Sequence, residues 1–233
     1  MVIDDRSLIK LQSISGLIFA TFLILHLSNM TTALLGQNTY DQYMRLLRWY
    51  YQYPLIEIFV VGAASLVHIY ASIKRGIQRR KKEKFRDQNN RPSLRLRLHR
   101  YSGYFILLAF FGHVIATRSP SLIFGMNVDM SFLYFSLFIM PWFFYPYYLL
   151  LGTSGIYHLT NGVITALRAL KVHLPKSAAS PSSRIFWIWV GIGLTITFFS
   201  VLSLGGILIE IENARYAEWK LFASKFVPIS FLE

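Results

Sequence analysis

A chain of 233 residues that is 54% hydrophobic, 16% aromatic and only 15% charged is too apolar for an ordinary soluble domain and reads as an integral membrane protein. Its net charge of +13 does not mark a nucleic-acid binder, because the positive charge lies against apolar runs and no nucleic-acid motif accompanies it. With no cysteine, the chain excludes disulfides, thiolate-ligated iron–sulfur clusters and Cys-type zinc sites.

The first apolar run, residues 11–35, exceeds the roughly 20 residues needed to cross a bilayer. It is too long for a cleaved signal and lacks a small-residue cleavage site, so a retained helix is expected. Residues 38–50, "NTYDQYMRLLRWY", have the pattern of an amphipathic helix in the outer interface, with Trp49, Tyr50, Tyr51 and Tyr53 as an aromatic belt. A second span is expected at 54–73 and a third, the shortest, at 101–117, joined by a basic inner loop over 74–100. A fourth span at 143–167 leads through the flexible "PKSAASPSS" connection, 175–183, to a fifth at 185–209. The tail, 210–233, is expected on the outer surface or against an additional subunit. The fold class is therefore an all-α membrane domain of five helices.

Charge sets the orientation, since short loops rich in Lys and Arg stay on the inner side. Of 24 basic residues, 18 lie in the N-terminal segment, the 74–100 loop and the 168–184 loop. The N-terminus is thus expected inside and the C-terminus outside. The 74–100 loop alone carries 12 basic and 2 acidic residues, which suits topology, anionic membrane lipid or an acidic partner.

Of six histidines, His99 and His173 fall beside Arg and Lys at the inner boundary, where solvated or headgroup-facing imidazoles are expected. The other four, His26, His68, His113 and His158, fall one on each of the first four spans. With a rise of about 1.5 Å per residue, His26 and His113 lie about 24 and 20 Å from the inner boundary, and His68 and His158 about 9 and 15 Å. An internal repeat underlies this: Ser15-Gly16 leads to His26 as Ser102-Gly103 leads to His113, and the His26–His68 spacing of 42 residues is matched by 45 between His113 and His158. Two hairpins, each with one deep and one shallow histidine, would form a four-helix bundle that places two imidazole pairs face to face. Such pairs supply the axial nitrogens of two six-coordinate haems. Small residues near the ligands, among them Gly16, Gly62, Gly103, Gly112, Gly152, Gly155 and Gly162, would let a porphyrin approach the backbone, and equally permit plain helix contact.

Four stretches, "LQSISGLIFATFLILHLSN", "LIEIFVVGAASLVHIYASIKRG", "LHRYSGYFILLAFFGHVIATR" and "GTSGIYHLTNGVITAL", together resemble the five-helix dihaem cytochrome b anchor of succinate dehydrogenases and fumarate reductases. The resemblance covers about residues 8–210, and its specificity comes from order, spacing and repeat. It implies that His26 and His113 bind a distal haem b, and His68 and His158 a proximal one. It also implies a flavoprotein and an iron–sulfur subunit on the inner face, with a quinone as the membrane substrate, in a bacterial cytoplasmic membrane or a mitochondrial inner membrane. Dicarboxylate chemistry would belong to the flavoprotein; association into a higher oligomer stays open. One departure is Ile156, where fumarate-reducing members have a transmembrane acid two positions before the fourth ligand, and this favours succinate oxidation.

Quinone-site candidates on the outer side are Tyr40, Asp41, Glu57, Arg118 and Asp129, with Glu57 the most suggestive because an ionisable group within a span is costly. Ser15, Ser102 and Arg100 are candidate contacts for haem propionates, or equally helix caps and interface anchors. Competing readings are the dihaem cytochrome of a hydrogenase, formate dehydrogenase or ascorbate-dependent reductase, and a haem-free anchor or transporter.

Overall fold

Asp4 starts the first helix, α1 (Asp5–Thr32), by accepting hydrogen bonds from Ser7 N at 2.9 Å and Ser7 Oγ at 2.8 Å. The backbone bond from Ser7 holds its carboxyl below the usual carboxylate range. In this computed structural model, residues 4–51, 53, 55–83, 92–175, 180, 183–212 and 214–226 are described. Their regular structure is entirely helical.

A short 3-10 turn, Ala33–Leu35, closes α1 at Gly36, whose φ of 104° and ψ of 162° suit glycine alone. The chain reverses there into α2 (Gln37–Tyr51), the expected amphipathic helix. Trp49 and Tyr53 are exposed, as an interfacial belt requires, whereas the side chains of Tyr50 and Tyr51 lie outside the described residues. A π-helical stretch, Ile56–Gly62, leads into α3 (Ala63–Glu83), and α4 spans Leu94–Phe124. The basic loop expected over 74–100 is therefore mostly the ends of two helices, with residues 84–91 outside the described set. Lys and Arg are good helix formers, so charge alone does not end a helix.

Helix α5 (Met130–Ile139) is a further element, too short at 10 residues to register as a membrane span. It is apolar on all sides, and Leu133, Phe135 and Leu137 are buried. Pro141 then opens α6 (Pro141–Ala169) at a position where its missing N–H costs nothing. At the far end of α6, Lys171 has φ 63° and Val172 N returns to Leu167 O at 2.9 Å, a left-handed helix stop. Ser183 caps α7 (Arg184–Leu204) through its Oγ, which accepts from Phe186 N at 3.1 Å. The tail contains one more short helix, α8 (Tyr216–Ala223). Among the described residues, four helical segments are long and apolar enough to cross a membrane: Asp5–Leu35, Ile56–Lys81, Leu94–Phe124 and Arg184–Leu204. The remaining expected span lies within α6, which is long enough at 29 residues but is enriched in Tyr, Thr, Ser, Asn and His.

The chain divides into two compact units. The first comprises Met1–Leu25, Arg48–Tyr104 and Gly155–Gly191. Its centre includes Arg95, only 6% exposed. Arg95 Nε donates to Asn161 Oδ1 at 2.6 Å and Nη1 to Ser180 O at 2.9 Å, while the guanidinium lies 3.7 Å from the Phe186 ring centroid. Tyr157 donates to the Arg95 carbonyl at 2.9 Å. A buried cation is thus met by an amide, a carbonyl and an aromatic face, which ties α4, α6 and α7 together.

The second unit comprises His26–Leu47, Phe105–Ser154 and Ile192–Glu233. Its core gathers Ala33, Tyr40, Met130, Leu133, Leu137 and Leu204. The start of α5 is doubly capped, with Asp129 Oδ1 accepting from Ser131 N at 3.1 Å and Asp41 Oδ1 from Met130 N at 2.8 Å. Arg215 pairs with Asp129 at 2.8 Å and Trp219, fully buried, donates to Ser131 Oγ at 2.7 Å. These contacts fasten α8 onto α5.

Candidate functional site

Each of the two expected histidine pairs lies inside one unit. In the first unit, His68 on α3 and His158 on α6 have ring centroids 6.3 Å apart with planes at 87°. In the second, His26 on α1 and His113 on α4 have centroids 5.9 Å apart with planes at 77°. Imidazoles that bind one metal from opposite sides, with metal–nitrogen bonds of about 2 Å and each nitrogen about 1.1 Å from its ring centre, place their centroids about 6 Å apart. Both pairs meet that spacing. Two aromatic rings in direct edge contact span the same range, so the ring nitrogens have to decide.

His68 Nδ1 lies 3.0 Å from the Gln12 carbonyl. A carbonyl can only accept, so Nδ1 carries the proton and Nε2 keeps its lone pair. His158 Nδ1 lies 3.3 Å from Ser102 Oγ, whose own proton goes to the His99 carbonyl at 3.0 Å. Ser102 therefore accepts, and His158 takes the same tautomer. His113 Nδ1 is 3.5 Å from the Tyr147 hydroxyl, a longer contact in which the hydroxyl can either donate or accept. Metal-ligating histidines characteristically donate their second ring nitrogen to an oxygen, which fixes both tautomer and ring orientation. The donor set and its supports fit a bis-imidazole metal centre. Among the described residues, no group of three or more ligating side chains has metal-binding geometry.

The repeated Ser-Gly steps acquire distinct roles. A Cβ on Gly16 would lie 2.8 Å from His68 Nδ1, and one on Gly103 would lie 2.9 Å from His158 Cε1. Each glycine makes room for an imidazole of another helix, Gly16 on α1 for His68 on α3 and Gly103 on α4 for His158 on α6. Gly152 serves helix packing, since a Cβ there would meet Thr197 of α7 at 2.5 Å, and Gly112 faces open space. Ser15 bonds within its own helix, Oγ to Leu11 O at 2.7 Å, whereas the matching Ser102 supports His158. Arg100 is half-buried.

The quinone candidates separate. Tyr40 is fully buried in the second unit's core, and Asp41 and Asp129 are the two caps of α5, roles that account for them structurally. Arg118 donates to Ser121 Oγ at 2.9 Å. Glu57 lies in the first unit, within the π-helical stretch, a backbone form frequent at functional sites. His173 is exposed, as expected, but His99 departs from the expectation of a solvated ring. Its ring stacks on His158 with centroids 4.3 Å apart and planes at 12°. The available signal was its place in the repeat, where it matches Gln12, each four residues before the repeated glycine.

Comparison with protein-family models, curated proteins and solved structures returns no significant match.

Proposed function

We propose that this chain is the cytochrome b membrane anchor of a succinate:quinone oxidoreductase. It would exchange electrons between an iron–sulfur subunit on its inner face and quinone in a bacterial cytoplasmic membrane. The observation that carries the cytochrome reading is the recurrence of one arrangement in both units, two imidazoles about 6 Å apart, with a Nδ1 of each pair within reach of an oxygen. The succinate and quinone assignment rests on the sequence resemblance.

A haem b held by each pair would supply a reversible one-electron iron couple. The absence of cysteine excludes thioether attachment, so the chain would hold such groups through histidine and packing alone. His26 with His113, and His68 with His158, would hold these groups. The Gln12 carbonyl and Ser102 would hold the Nδ1 atoms of His68 and His158 and leave each Nε2 free to bind iron, and Tyr147 contacts His113 Nδ1. The basic ends of α3 and α4 suit docking of an acidic iron–sulfur partner, with a flavoprotein beyond it. Glu57 is the favoured proton-exchanging group at a quinone site. The apolar Ile156, in place of an acid, favours succinate oxidation.

The test is a dithionite-reduced minus oxidised spectrum of the purified complex, with haem quantified as its pyridine adduct and succinate as a second reductant. Two haems b per chain, at least one reduced by succinate, are the expected result. Two haems indifferent to succinate would move the chain to another dihaem system, and no haem would overturn the cytochrome reading.

A further inference from the structure

We infer that His99 is a positioning residue for His158, fixing the plane of that imidazole by stacking on its face. The inference rests on reading His68 and His158 as an axial pair. His158 has two imidazole neighbours with different geometry. His68 stands almost perpendicular to it, at 87° and 6.3 Å, whereas His99 lies flat on it, at 12° and 4.3 Å. A ring stacked face to face does not aim a nitrogen along the axis between the other two, so His99 is not a rival ligand.

The turn from His99 to Ser102 grips His158 twice. The His99 ring covers its face, and Ser102 Oγ, itself bonded to the His99 carbonyl at 3.0 Å, reaches Nδ1 at 3.3 Å. Gly162 bounds His99 on α6, where an added Cβ would meet its Cε1 at 3.5 Å. Rotation of His158 about its Cβ–Cγ bond would have to break the stack, the edge contact or both.

The internal repeat explains why this device occurs in one half only. Gln12 occupies the place of His99, and Ser72, four residues after His68, the place of Gly162, four after His158. In the first half, Gln12 Nε2 donates to Ser72 Oγ at 2.8 Å and its Oε1 takes Arg75, while its carbonyl receives His68 Nδ1 at 3.0 Å. In the second half, Gly162 offers no hydroxyl and leaves space for a ring. One ligand of the pair is thus steered by a backbone carbonyl and the other by a stacked imidazole.

The relative planes of two axial imidazoles set the g anisotropy of a low-spin ferric haem, with near-perpendicular planes giving the large-gmax signal. The experiment is low-temperature electron paramagnetic resonance of the oxidised complex carrying His99→Phe or His99→Leu, with haem content measured in parallel. His99→Phe, which keeps a flat ring, should preserve both gmax values. His99→Leu, of similar bulk without a flat face, should keep two haems per chain but shift or broaden one large-gmax signal. Unchanged signals in His99→Leu, or an equal shift in His99→Phe, would overturn the inference. If His99→Leu does not assemble, His99→Gln, which copies the first half, should give the same single shift, and an unchanged spectrum there overturns it equally. A His158→Ala complex that retains both haems would instead sink the underlying axial-pair reading.

Discussion

Alanine at position 16 puts a methyl carbon 2.8 Å from His68 Nδ1 and 2.9 Å from its Cε1, and alanine at 103 puts one 2.9 Å from His158 Cε1. Unstrained carbon contacts begin at about 3.5 Å, so each imidazole must retreat by about 0.6–0.7 Å. A ligand held to about 0.5 Å of its productive position cannot absorb that shift freely. His68 is least able to, because its Nδ1 is bonded to the Gln12 carbonyl at 3.0 Å. Overpacking of this kind costs about 1–3 kcal/mol. Alanine recovers about 1 kcal/mol of helix propensity over glycine, but that gain stabilises haem-loaded and haem-free chains alike. The clash falls on the ligand, so affinity for the haem of the His68–His158 pair should drop about 5- to 150-fold in each variant. Haem content and redox difference spectra of Gly16→Ala and Gly103→Ala complexes would be compared with Gly112→Ala, where a Cβ meets nothing within 4 Å. The control should keep two haems and the other variants should lose or weaken one. Full, unshifted haem content in both Gly16→Ala and Gly103→Ala would refute the steric argument.

Ligand replacement should divide cleanly: His68→Ala or His158→Ala removes one haem and His26→Ala or His113→Ala the other, so two full haem equivalents in any of the four would break the pairing. Trp219→Ala empties a fully buried site and removes the indole donor from Ser131 Oγ, which keeps its own bond to Asp129. Such a truncation costs about 3–5 kcal/mol locally, and hydrogen exchange in α8 should rise while that of α3 stays unchanged. Acid should also loosen the first turn of α8. The Arg215 side chain, donating to Glu218, holds that carboxyl below its ordinary value of 4.5. A folded value below the unfolded one means that the contribution is complete above the unfolded pKa and fades as pH falls through the folded one. Proteolysis of the tail should therefore be flat from neutrality to about pH 4.5 and rise below it, and an Arg215→Gln variant should lose that dependence.

The elements and the four paired histidines were legible in the sequence because both depend on local order. Apolar run length marks the long helices, and a fixed rise per residue converts histidine spacing into depth. The amphipathic pattern of 38–50 likewise matches α2 to within a residue at each end. What periodicity does not carry is the contact of one helix face with another. Asp41 and Asp129 looked like membrane-edge acids, yet they are the caps of a helix too short to register as a span. Gly16 and Gly103 read as places for a flat cofactor or for plain helix contact, yet their missing Cβ atoms admit the imidazoles of His68 and His158. His99 looked solvated because arginines flank it in sequence, but a helix turns its successive residues to different faces, and the one that carries His99 packs on His158. The sequence by itself determined which side chains could become ligands. Only the tertiary structure decided which neighbours hold them in place, because those contacts come from residues 34 or more positions away.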